Sequence, residues 1–538
     1  MENGEGAMCP MAAEATAGER AQAEVVAFLS DPASYTPPPE RVERMETHGA
    51  LVFLAGEEAW KIKRAVRFPY MDFSTLARRK AACAREMEIN RRLAPELYLG
   101  SVPITRRRDG RLELGGAGEP VEWAVRMRRF DQSALLSRMA EAGALSSGIV
   151  RELADAVAES HRTAPVAAGA DGAPRMERLI AIVGATLAEV EAVLETAPLR
   201  QLDERMAKQM QRAASILDQR AADGSVRRCH GDLHLNNIVL WRGRPTLFDA
   251  IEFDEDLATV DTLYDLAFLL MDLDLRGQRD AANAVLNRYL WRSGAELDLR
   301  GLEALALFLG LRAAIRAMVT AERAEQRERE TAARERDTRL RNEALRYRDA
   351  ALAYLAPAGP RLIAVGGLSG TGKSTLARAL APAAGPAPGA VHLRSDLERK
   401  ALLGVEEKTR LDPAAYTEVA RARVYAVLCE KAARTLAAGH AAVVDAVFID
   451  PGERTQIEAV AAHAGVPFAG LWLEAPAADL VARVEARRGD ASDATGKVVH
   501  RQLARDIGAL SPRWTPVDAG GDAAATLEAA RALLADGL

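Results

Sequence analysis

A chain of 538 residues exceeds what one hydrophobic core usually holds, and 49% apolar with 27% charged residues is a globular composition, neither disordered nor collagen-like. Lys and Arg number 71 against 76 Asp and Glu, a net charge of -5, which disfavours nucleic acid or an anionic membrane as partner and leaves room only for a local basic groove. Four scattered cysteines (Cys9, Cys83, Cys229, Cys429), no apolar run of ~18 residues and an acidic N-terminus without a signal pattern predict a soluble cytoplasmic protein without disulfides.

Residues 1–40 read as an arm with a helix at 20–30, closed by the turn-rich SYTPPPE. Two strand-like bursts, ALVFLAG and AWKIKRAV, flank a turn at Gly56-Glu57-Glu58. A helical pattern runs from Phe73 to Leu93, and strands return over 97–130. Helices fill 134–222, a strand–loop–strand stretch covers 226–256, and helices resume over 257–355. This order predicts a small α+β lobe followed by a helical lobe. The charged stretch 321–355 reads as one long solvated helix with a thin apolar stripe of Leu340, Ala344, Tyr347, Ala351 and Tyr354, packed by one edge or, alternatively, forming a coiled-coil seam. Pro357, Gly359 and Pro360 end it. Beyond 361, short apolar strands alternate with helices, the pattern of an α/β domain with a parallel sheet. The predicted parts are an arm (1–40), a two-lobed domain (41–320), a charged connecting helix (321–357) and a second domain (358–538).

Gly367-Leu368-Ser369-Gly370-Thr371-Gly372-Lys373-Ser374 matches G-x-x-x-x-G-K-[ST] between the strand-like LIAVG and the helical TLARALA. Backbone amides of Gly367, Ser369, Gly370, Thr371 and Gly372 are candidates to cradle phosphates, with Lys373 on the β/γ-phosphates, Thr375 in the first helical turn and the Ser374 hydroxyl on Mg²⁺. Downstream, Asp396 ends the second strand and is followed by Arg399. They read either as an acceptor-activating base with an anion clamp or as an N-cap with a surface arginine. Asp445 ends the AAVVD strand and suits either a Mg²⁺-side carboxylate or a substrate contact. Arg483 and Arg487 share one helix face, as lid arginines or as a solvated basic face. Residues 361–538 resemble the small P-loop kinases of the gluconate kinase, zeta-toxin and polynucleotide-kinase type, which implies ATP and Mg²⁺ as cofactors and leaves the acceptor open.

A second constellation lies at 230–249. His230-Gly231-Asp232-Leu233-His234-Leu235-Asn236-Asn237 is followed by an apolar strand, and Leu247-Phe248-Asp249 ends the next one. Asp232 is the candidate base for an acceptor hydroxyl, and Asn237 and Asp249 the candidate Mg²⁺ ligands. Zinc at His230/His234 lacks a third ligand nearby. This half resembles the aminoglycoside-phosphotransferase/choline-kinase branch of the protein-kinase-like fold over roughly 40–320. The resemblance implies a phosphate-gripping strand lysine (Lys61, with Lys63 as alternative), a partner helix glutamate (Glu86, or Glu88), and Asp265 bracing the catalytic loop. Two features depart from that branch's pattern: no G-x-G-x-x-G precedes the lysine, and the chain continues DAIEFDED after Asp249.

These readings combine into an ATP·Mg²⁺-dependent phosphotransferase with two kinase domains and small hydroxyl-bearing acceptors. The rivals are a nucleotide-switched regulatory ATPase and a polynucleotide 5′-hydroxyl kinase.

Overall fold

The computed structural model describes residues 17–47, 49–68, 71–330, 338–486 and 491–536. They form two compact units, one from 1–142 with 228–260 and the other from 143–227 with 261–538.

The first unit is built on a six-stranded antiparallel sheet, in the order Val42–Glu46, Ala50–Ala55, Glu58–Lys63, Glu119–Arg128, Tyr98–Arg106, Leu112–Leu114. The expected hairpin forms at Gly56, whose φ of 59° is a conformation open to glycine without steric cost. Strand alternation splits the apolar residues between two faces. Phe53, Trp60, Ile62 and Ile104 pack with Leu29 and Tyr35 from the N-terminal segment. Leu54, Ala59, Val125 and Met127 pack against Cys83 and Met87 of the helix Leu76–Leu93, which Thr75 caps by accepting from the Arg78 N–H. The 226–256 region supplies a hairpin of Ile238–Trp241 and Arg244–Leu247, with Arg242 and Gly243 both at positive φ as a tight two-residue turn requires.

The second unit starts with helices, among them Ser147–Thr163, Thr196–Ala222, Thr262–Leu275 and Arg279–Ser293. The helical stretch Glu296–Glu328 is long enough to cross a membrane and holds an 18-residue window of mean hydropathy 1.6, but 72% of that window is buried inside the chain, the pattern of a core helix. The single helix expected over 321–355 is two helices among the described residues, Leu305–Glu330 and Thr338–Tyr354. Arg341 lies 2.7 Å from Glu328, thirteen positions away, which one helix rising 1.5 Å per residue cannot achieve. Ala344, Tyr347, Ala351 and Tyr354 of the apolar stripe are buried by this chain's own helices.

After Pro360 comes a five-stranded parallel sheet, in the order Val391–Arg394, Ala442–Asp445, Leu362–Gly367, Phe468–Glu474, Trp514–Asp518. Ile363, Val365, Val443, Leu471 and Leu473 pack against Leu376, Ala377 and Leu380 of the helix Lys373–Leu380. The outer edge of Val391–Arg394 is covered by the helix Arg279–Ser293: Asn287 Oδ1 accepts from the His392 N–H at 2.6 Å, and Asn283 and Asn287 both donate to Ala390 O. Among the described residues, Cys83, Cys229 and Cys429 are in no disulfide, and Cys9 lies outside the described residues.

Candidate active sites

In the first unit, alternation along Glu58–Lys63 turns Lys61 and Lys63 toward the helix Leu76–Leu93. Lys61 Nζ lies 2.9 Å from Glu86 Oε1 and also pairs with Asp249. Lys63 Nζ is 2.6 Å from Glu86 Oε2 and pairs with Glu252. The two lysines, read as alternatives, therefore share one glutamate, and only Lys61 also pairs with Asp249. Glu88 is exposed and pairs with Arg85. Burial alone would pull Lys61 down, but Asp249, Glu86 and Glu252 outweigh it and hold its ammonium well above the usual lysine value. Burial alone would push Glu86 up, but Lys61 and Lys63 bring it down to about 2. Glu252, which sequence reasoning missed, is raised by its burial despite Lys63. Its signal was the acidic DAIEFDED run, whose alternation could have marked it as inward-facing.

The loop 230–237 is tied to the same cluster through its backbone. Phe248 N–H donates to Asn237 O at 3.0 Å, Ile251 N–H to His230 O at 3.0 Å, and His230 Nε2 lies 2.9 Å from Phe248 O. His230 thus ties this loop to Phe248. Asn237 Nδ2 donates to Asp232 Oδ2 at 2.9 Å, and His234 Nε2 stands 3.3 Å from the same oxygen. Asp249 sits at a φ of 60°, a strained conformation for a non-glycine residue. It is held there by its N–H donating to Tyr98 Oη, while Asn90 bonds both the N–H and the carbonyl of Ala250. The Asp232 and Asp249 side chains are 40% and 39% exposed, open to a ligand from solvent. Asn237 and Asp249 offer oxygen donors, the hard-ligand chemistry that fits Mg²⁺. In the second unit, Asp265 is buried, 3.1 Å from His161 Nε2 and 3.9 Å from Arg312.

The P-loop of the second unit bends through Gly367, Gly370 and Gly372 at φ of 133°, 95° and 90°. A Cβ on Gly370 would stand 2.5 Å from Leu480 O, so glycine is needed there on packing grounds as well. Lys373 Nζ and Thr371 Oγ1 both donate to Leu368 O at 2.9 Å, and Thr375 N–H donates to Gly372 O in the first turn that also carries Ser374. Ser369 N–H donates to Gln502 Oε1 at 2.8 Å. Gln502 comes from the helix Gly496–Leu503, and no local sequence signal marks it.

Asp445 is buried at the end of its strand, beside His392 Nε2 at 3.4 Å and Arg394 Nε at 3.8 Å. Burial would raise its carboxyl, but His392, Arg394 and Lys373 outweigh this and bring it to about 2. Its Oδ2 makes no hydrogen bond, a buried anionic oxygen whose chemistry fits a Mg²⁺ ion or its water. His392 and Arg394 were also missed, although they alternate along the strand that leads to Asp396.

Asp396 is not an N-cap: Arg394 holds that position, and Asp396 lies in the first turn of Ser395–Leu402. Its pKa is raised by burial and by Asp445, against the pull of Arg394 and Lys373. Lys373, Asp396 and Asp445 therefore share one electrostatic neighbourhood. Arg399 is buried, donates to Ala415 O at 2.8 Å and stacks on Tyr416, so it braces a loop rather than lying on the surface. Arg483 donates to the carbonyls of Ala519, Gly520 and Gly521. Arg487 lies outside the described residues.

Two family models match the chain, "Phosphotransferase enzyme family" over residues 60–308 and "AAA domain" over 362–506. An uncharacterized protein of Mycobacterium tuberculosis and one of Mycobacterium bovis are each 31% identical over 474 residues, covering 86% of this chain and 90% of the relative. The chain belongs to the same family. A gluconokinase from Sinorhizobium meliloti matches 33% of this chain and 94% of its own at 24% identity and a TM-score of 0.25. A GDP complex of aminoglycoside 2′-phosphotransferase-IIIa matches 62% and 99% at 14% and 0.37. A choline/ethanolamine kinase family protein from Mesorhizobium loti matches 62% and 98% at 13% and 0.36. The protein is a nucleotide-binding transferase of the kinase type, with a kinase-like phosphotransferase fold followed by a P-loop kinase fold.

Proposed function

We propose that this kinase has two Mg-ATP-dependent sites, each transferring the γ-phosphoryl group to a hydroxyl of a small-molecule acceptor. The division proposed is an N-terminal arm over 1–40, a first kinase domain over 41–320, a charged connection over 321–357 and a P-loop kinase domain over 358–538. The observation that carries the reading is the cluster in which Lys61 meets both Glu86 and Asp249 while Asp232 holds Asn237.

In the first site Lys61, oriented by Glu86, grips nucleotide phosphate, and the Asp232 carboxylate takes the acceptor hydroxyl proton. Asn237 and Asp249 would hold Mg²⁺, which when bound neutralises charge on the phosphate oxygens. In the second site the P-loop amides and Lys373 bind the phosphates. Ser374 and Asp445 would hold Mg²⁺. Asp396, its pKa already raised by burial beside Asp445, accepts the acceptor proton. Arg399 and Arg483 donate to backbone carbonyls, Ala415 O and Ala519 O, and with Arg487 are the proposed arginines of this site.

ADP release against a panel of sugars, aminoglycosides, nucleosides and 5′-hydroxyl oligonucleotides tests the reading, with wild type, Asp232→Asn, Lys373→Ala and the double variant. Each single variant is expected to lose turnover on a different acceptor class, and the double variant to lose both. Activity confined to the oligonucleotides would move the second site to nucleic-acid ends. Acceptor-independent hydrolysis alone would favour a nucleotide-switched regulator.

A further inference from the structure

We propose that Asn287 is a positioning residue for the C-terminal phosphoryl-transfer site, although it lies within the stretch 60–308 matched by the phosphotransferase family. The inference rests on reading Asp445 as the metal-side carboxylate.

The strand Val391–Arg394 brings His392 and Arg394 beside Asp445 and leads directly into the helix that carries Asp396. One edge of this strand is fixed by pairing with Ala442–Asp445, where His392 lies opposite Val443. The other edge of a terminal parallel strand ordinarily faces water. Here Asn287 takes the place of a neighbouring peptide group: its Oδ1 accepts from His392 N–H at 2.6 Å and its Nδ2 donates to Ala390 O at 3.2 Å. Asn283, one turn earlier, donates to the same carbonyl and accepts from Asn287 Nδ2.

The helix bearing Asn287 is itself anchored. Arg288 bridges Asp155 and Glu407, at 2.7 and 2.8 Å, and Tyr289 Oη lies 3.0 Å from His161 Nδ1. His392 is thus held at its backbone by Asn287, while its ring stands against Asp445. The strand therefore places two of the groups that flank the Asp445 carboxylate, His392 at 3.4 Å and Arg394 at 3.8 Å. Displacing the strand moves both walls of the proposed metal side at once.

The test uses the full chain with Asp232→Asn to silence the first site. Asn287→Ala is expected to raise the half-saturating Mg²⁺ concentration for turnover by roughly 10-fold, the usual scale for an outer-shell partner. In metal-free protein, amide exchange over 390–394 is expected to accelerate. Asn287→Gln keeps both an acceptor for His392 N–H and a donor for Ala390 O and should restore most of the Mg²⁺ response, and Asn283→Ala, which leaves the His392 bond in place, should change it little. A folded Asn287→Ala with unchanged Mg²⁺ dependence overturns the proposal, as does a loss that Asn287→Gln does not rescue. If Asn287→Ala does not fold, Asn287→Ser carries the same measurement, and loss of fold in both shows a purely structural role and overturns it too. Turnover that survives Lys373→Ala would instead overturn the reading of the P-loop site.

Discussion

Asp232 and Asp249 are similarly exposed, at 40% and 39%, yet their surroundings differ. Asp249 is pinned by a strained backbone and pairs with Lys61, whereas Asp232 faces outward from a loop held by Asn237 and His230. Asp249→Asn should therefore weaken Mg²⁺-dependent nucleotide binding, while Asp232→Asn should leave that affinity within a few-fold and abolish transfer. Calorimetry and ADP release in a Lys373→Ala background separate the two, and equal effects on binding would contradict the assignment. Glu86 answers to two buried lysines, so Glu86→Gln leaves them short of countercharge. The expected loss is about 3–5 kcal/mol of unfolding free energy by urea titration, the usual result of breaking a buried ion pair from one side; a loss below 1 kcal/mol would mean that the network relaxes. Lys61, Glu86, Asp232 and Asp249 could be singled out because each lies in a short stretch whose spacing resembles a known pattern. Gln502 could not, because its importance arises from a partner brought up by folding, the Ser369 amide 133 residues away, while Glu252, His392 and Arg394 carried only the weak signal of local alternation.

Strands, glycine turns and the P-loop helix could be read from alternation and punctuation because these are local rules. The charged stretch 321–355 could not be read in the same way. Its helical periodicity holds over both described helices, and their packing against each other shows in three dimensions, as in the pairing of Arg341 with Glu328. At this scale His440 offers a pH test. It is buried just ahead of the strand Ala442–Asp445, with Nε2 2.8 Å from Gly389 O, and burial brings its pKa down to about 4. Below its ordinary value of ~6.5 the unfolded chain takes up a proton that the folded chain refuses, so stability falls as pH drops and levels off near pH 4. Between pH 7.5 and 5 the loss is roughly 2 kcal/mol. His440→Gln keeps a donor for Gly389 O without titrating, and its thermal melts should show a shallower pH dependence. Wild-type slope in that variant would exclude His440 as the source.

At the scale of the whole chain, the P-loop sheet and the helices before it share one compact unit. A fragment of 358–538 keeps every P-loop residue but loses Asn283, Asn287, Arg288 and Arg292, the last two of which pair with Glu407 and Glu406. It is expected to melt below the full chain and to self-associate through the bared strand, because an uncovered edge is a template for pairing. Differential scanning calorimetry with light scattering checks this, and a monomeric fragment as stable as the full chain would count against it. Domain order could be read from the motifs, but this dependence could not, since the boundary at Pro357–Pro360 has the composition of an ordinary linker.

The covered strand edge also has a consequence for synthesis. The helix Arg279–Ser293 leaves the ribosome well before Val391–Arg394, so a folded surface with two asparagine amides in place awaits the strand as it emerges. A nascent parallel sheet, slow to assemble because its strands are distant in sequence, is then sheltered on its most exposed side while the remaining strands arrive. Exchanging the order of the two halves along the gene is therefore expected to lower the soluble yield of the second.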